Sequence, residues 1–62
     1  MNAPQNPPSG TKVRLLPETH GPAHGLAGRE GITYRPSVEG TYVRFEDDSY
    51  VFVWWDEIEV VQ

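Results

Sequence analysis

The stretch Thr41-Tyr42-Val43-Arg44-Phe45-Glu46-Asp47-Asp48-Ser49-Tyr50-Val51-Phe52-Val53-Trp54 sets the fold class. Two segments rich in β-branched and aromatic residues flank Glu46-Asp47-Asp48-Ser49. Acidic residues and serine favour turns because their side chains bond nearby backbone. A hairpin with a two- or four-residue loop is expected. It pairs Phe45 with Tyr50, Val43 with Phe52 and Thr41 with Trp54. Successive strand side chains point to opposite faces, so those six would share the core face. Tyr42, Arg44, Val51, Val53 and Trp55 would then lie on the outer face.

Working outward, Lys12-Val13-Arg14-Leu15-Leu16 alternates polar and apolar residues and stops at Pro17, which has no N–H for a ladder. Pro17 to Gly28 carries two prolines and three glycines and reads as a long loop. Gly28-Arg29-Glu30-Gly31-Ile32-Thr33-Tyr34 follows as a second strand, and Arg35 to Gly40 as a turn. After the hairpin, Asp56-Glu57 starts a short turn, and Ile58 with Val60 or Val61 forms a last strand. No segment holds helical spacing for three turns. The expectation is an all-β domain over residues 11–62, a small five-stranded barrel whose closure removes exposed strand edges. Its expected core is Val13, Leu15, Ile32, Val43, Phe45, Phe52, Trp54 and Ile58.

Residues 1–10, MNAPQNPPSG, offer no aliphatic side chain larger than Ala3 beyond Met1. They read as a flexible Pro-rich arm, dispensable for folding. Pro4 and Pro7 have PxxP spacing, but no flanking arginine orients it. The whole chain has 62 residues and no cysteine, so neither a disulfide nor a Cys-based zinc site contributes. A chain this short buries only about 60% of the surface its unfolded form exposes. Its two Trp, three Tyr and two Phe must therefore supply much of the core.

Nine acidic residues against five basic ones give a net charge of −4. That balance disfavours nucleic acid, whose affinity rests on neutralising phosphates. No apolar run reaches the length of a membrane span, and no signal-peptide core leads the chain. The expected setting is the cytoplasm.

Three stretches resemble SH3-like families. Gly10 to Leu16 with Glu18-Thr19, Val43-Arg44-Phe45, and Asp56 to Val61 are similar to the photosystem I subunit IV family. Gly28-Arg29-Glu30-Gly31 is similar to the glycine-spaced turn of KOW domains. Val43 to Asp48 resembles the hairpin of Tudor-like barrels. Together they cover residues 10–61 and imply an SH3-like barrel. Partners differ among these families, and a shared fold does not fix a function.

The outer face of the hairpin, Tyr42, Arg44, Val51, Val53 and Trp55, is the candidate binding surface. Tyr, Trp and Arg join large contact area to a polar handle. The Pro17–Gly28 loop, the arm, or a second copy in a homodimer would be alternative covers for it. His20 and His24 are four apart, a spacing that converges on a metal only on a helix, and Gly21 and Pro22 oppose one. Glu46, Asp47 and Asp48 fit a solvated turn better than a carboxylate pair for acid–base chemistry. Ser9, Ser37 and Ser49 have no base placed beside them. The glycine-spaced loop lacks the helix start or lysine of a phosphate cradle. These residues point to a non-catalytic protein-interaction module without cofactor or metal. A KOW- or Tudor-like nucleic-acid or ribosome-associated module is the alternative.

Overall fold

The computed structural model describes residues 7–61. Five antiparallel strands form one sheet: β1 (Lys12–Leu15), β2 (Glu30–Tyr34), β3 (Gly40–Arg44), β4 (Tyr50–Trp54) and β5 (Ile58–Val60). Two single-turn 3₁₀ helices interrupt them, η1 (Gly21–Ala23) in the long loop and η2 (Trp55–Glu57) between β4 and β5. The spatial order is β4-β3-β2-β1-β5. The all-β expectation is met. The expected barrel closure is not found, since β4 and β5 stand as the two sheet edges among the described residues.

Alternation explains the core. Val13 and Leu15 of β1, Val43 of β3, and Val51 and Val53 of β4 point inward and are buried, together with Phe45 and with Ala23 of η1. Leu26 and Ile58 pack against this cluster. The long loop is therefore structured by a turn that drops Ala23 into the core. Thr33 and Thr41 also face inward, and each has its hydroxyl engaged: Thr33 Oγ1 donates to the Pro8 carbonyl at 2.8 Å, and Thr41 Oγ1 to the Tyr34 carbonyl at 3.1 Å.

Three expected core residues take other positions: Trp54 is exposed, and Phe52 and Ile32 are half-buried on the outer face, while Ile58 is half-buried against the core cluster. Val51 and Val53, expected on the outer face, are in the core. For the β4 residues the reason is the loop. Phe45 N–H donates to the Ser49 carbonyl at 2.9 Å, and Asp48 N–H donates to the Phe45 carbonyl at 3.0 Å. Asp48 holds φ +68, the left-handed conformation that lets a three-residue loop rejoin its strands. The loop is thus odd in length, and the register runs Thr41↔Val53, Tyr42↔Phe52, Val43↔Val51 and Arg44↔Tyr50. Shifting the pairing by one residue moves every β4 side chain to the opposite face.

Of the expected arm, residues 1–6, including Pro4 of the PxxP pair, lie outside the described residues. Pro8 to Gly10 are held by Thr33. The Pro8 carbonyl accepts from both Thr33 Oγ1 and Thr11 Oγ1, and Gly10 N–H donates to the Thr33 carbonyl at 2.9 Å. Among the described residues no helix is long and apolar enough to cross a membrane.

Candidate functional site

The register that buries Val51 and Val53 turns every aromatic of the hairpin strands to the other side. Tyr42 on β3, with Tyr50, Phe52 and Trp54 on β4, share the outer face with Tyr34 of β2, which is paired directly with Tyr42. The rings hold one another. Tyr42 meets Phe52 edge-on with centroids 5.5 Å apart, Phe52 meets Trp54 edge-on at 5.3 Å, and Tyr34 lies 5.3 Å from Tyr50. Edge-to-face pairs at such spacings attract beyond the area they bury. Even so, Tyr34, Tyr42, Tyr50 and Trp54 remain 42%, 44%, 50% and 45% exposed.

Charges frame this strip. Arg44 stands between Ile32 and Tyr50 across the sheet, with Asp48 3.9 Å from its guanidinium. Arg35 has its guanidinium carbon 5.8 Å from the Tyr34 ring centroid and holds φ +54, which an L-residue rarely adopts. Toward β1 the outer face becomes purely ionic. Arg14 bridges Glu30 at 3.0 Å and Glu59 at 3.1 Å, and Lys12 lies 3.5 Å from Glu30. Hydrogen bonding from Arg14 holds the Glu30 carboxyl below its ordinary range, and Glu30 in turn raises the Arg14 guanidinium.

The sequence-expected surface is therefore divided. Tyr42 and Arg44 lie on the outer strip, while Val51 and Val53 lie behind it in the core. Trp55 leaves the strand to open η2 and is half-buried, with its indole N–H donated to the Ser37 carbonyl at 2.8 Å. Tyr34, Tyr50, Phe52 and Trp54 join the strip instead. Their common face follows from alternation once the loop length is known.

Glu57 was not singled out by the sequence, yet its carboxylate is 1% exposed. Oε1 accepts from the Trp54 N–H at 2.9 Å. Oε2 accepts from the His20 N–H at 2.8 Å and lies 2.7 Å from His20 Nδ1. This carboxylate ties η1 to the end of β4, and its bonds satisfy donors within the chain, leaving His20 engaged in structure. His24 ends η1 on the exposed side. Among the described residues no three His, Asp or Glu side chains gather as metal ligands. The acidic trio forms the β3–β4 turn, where Asp47 Oδ1 accepts from Ser49 Oγ at 2.6 Å and from Ser49 N–H at 3.1 Å. Those bonds, the hydroxyl's first, lower the Asp47 carboxyl.

No family model, curated protein or solved structure matches this chain.

Proposed function

We propose that this chain is a small non-catalytic protein-interaction module, an accessory or regulatory factor within a larger complex, whose docking surface is the outer face of β2, β3 and β4. The observation that carries this is the strip of Tyr34, Tyr42, Tyr50 and Trp54, each two-fifths to one-half exposed on one side of the sheet. Contiguous apolar patches on small proteins mark interaction sites, and Tyr, Trp and Arg dominate the contacts that hold protein partners. The scaffold that presents this face is the five-stranded antiparallel sheet, with a 3₁₀ turn between β4 and β5.

The test is site-specific photo-cross-linking in cells. A cross-linker at Tyr42 should give protein adducts that disappear with Trp54→Ala. One at Glu18, in the loop, should give few. Equal yields from both positions would remove the assignment.

Exposed rings beside Arg35 and Arg44 also favour a second reading, a platform on which single-stranded bases stack. Glu46, Asp47 and Asp48 beside Tyr50 oppose it by repelling phosphates. Titration with single-stranded and duplex DNA and RNA at ~150 mM salt, where the Debye length is about 8 Å, should be flat. Sub-micromolar, salt-sensitive binding would reverse the ranking.

A further inference from the structure

The two ends of the aromatic strip differ in shape and in charge. At one end Tyr34, Arg35, Tyr42 and Tyr50 line an open hollow of about 300 Å³. A space this size lies at the bottom of the small-ligand range and suits one inserted side chain. At the other end Trp54, 45% exposed, lines a wider open hollow with Trp55, Glu39 and Asp56. Arg35 has no carboxylate within ion-pair distance among the described residues. One end carries an unneutralised cation among tyrosines, and the other an exposed indole beside two carboxylates.

A surface that carries both complementary halves fits itself about a twofold axis, where residue i meets j and j meets i. We propose that the strip pairs with a second copy of this chain, the Trp54 ring of each protomer entering the tyrosine hollow of the other. Arg35 then faces the partner's Glu39 and Asp56. This rests on the protein-interaction reading and names its partner.

Two further observations favour face-to-face pairing over strand addition at the β4 edge. The Trp54 N–H is already taken by Glu57 Oε1 at 2.9 Å, and η1 packs against β4. The four exposed rings offer on the order of 400 Å² per protomer at ordinary aromatic areas. Two such faces bury about 800 Å², and Val38, 87% exposed in the adjoining turn, adds to the rim. That is below the standard size of stable interfaces, so the dimer is a weak, concentration-dependent one, with a midpoint on the order of 100 µM.

Sedimentation equilibrium across that range should show monomer passing to dimer. Trp54→Ala should weaken association by at least about tenfold with an unchanged circular dichroism spectrum. Arg35→Glu alone, and Glu39→Arg with Asp56→Arg in another chain, should each abolish self-association. Mixing those two charge-reversed chains should restore it, because the mixed dimer meets opposite charge at both contacts. A monomer throughout, association that survives Trp54→Ala, or a mixture no tighter than its components would overturn the proposal. Foreign-protein adducts from a cross-linker at Tyr42 in a strictly monomeric chain would overturn self-pairing and leave the interaction reading standing. Neither dimer nor adducts would remove both.

Discussion

Glu57 holds three donors on a buried carboxylate, so its removal leaves the Trp54 and His20 main-chain N–H groups without that partner. Each such orphan costs roughly 1–3 kcal/mol, and Glu57→Ala is expected to lose about 3–5 kcal/mol, most of the stability of a domain this small. Glu57→Gln keeps one good acceptor and should lose about 1–2 kcal/mol. His20→Ala should lose under about 1 kcal/mol, because the residue-20 N–H still reaches the carboxylate and the ring is mostly exposed. Urea titrations of the three variants would check the order, and equal losses for Glu57→Ala and His20→Ala would show that the main-chain bonds count for little. The role of Glu57 was not legible in the sequence. Its partners are the main chain of Trp54 and of His20, 37 positions away, and a main-chain donor leaves no signature in residue type.

The β3–β4 hairpin shows what alternation can and cannot tell. Strand type, the turn and the inward Val43 and Phe45 were readable from composition and period. The face of β4 was not, because Tyr50-Val51-Phe52-Val53-Trp54 is apolar on both sides and either parity buries a plausible core. Only the loop length decides, and it depends on Asp48 taking a left-handed backbone. Val53→Ala, at a fully buried site, should therefore cost about 2–3 kcal/mol. Trp54→Ala should cost clearly less in stability, and the reverse order in thermal melts would contradict the register. Asp48→Gly should stabilise by up to about 1 kcal/mol, since glycine holds positive φ without strain. On β1 and β2, Arg14 keeps the Glu30 carboxyl below its ordinary value of 4.5. A depressed folded value means the contribution is present above about pH 4.5 and fades as pH falls through the folded value. Glu30→Gln should flatten the acid limb of a midpoint-against-pH curve and change little near neutrality. An unchanged acid limb would show that this pair does not couple to folding.

At the scale of the whole molecule, the strands and their order of appearance were legible, whereas the bonds that tie Pro8 and Gly10 to Thr33 and the strip's membership were not. Both depend on tertiary placement: Thr33 faces the core from β2, between β1 and β3, and its hydroxyl then needs Pro8. A chain beginning at Thr11 should melt below one beginning at Pro7, because it leaves the Thr33 hydroxyl without its acceptor, at roughly 1–3 kcal/mol. Coincident melts would return Pro8 to Gly10 to the dispensable arm. The clasp made by Glu57 also bears on how fast the protein comes apart. It joins segments far apart in the chain, whose loop-closure entropy must be met before the bonds form, so it is expected to form after the rate-limiting step of folding. Interactions absent from the folding transition state act on the unfolding rate alone. Glu57→Gln should then speed unfolding in stopped-flow measurements and leave refolding nearly untouched, so that this one carboxylate sets the lifetime of the folded molecule.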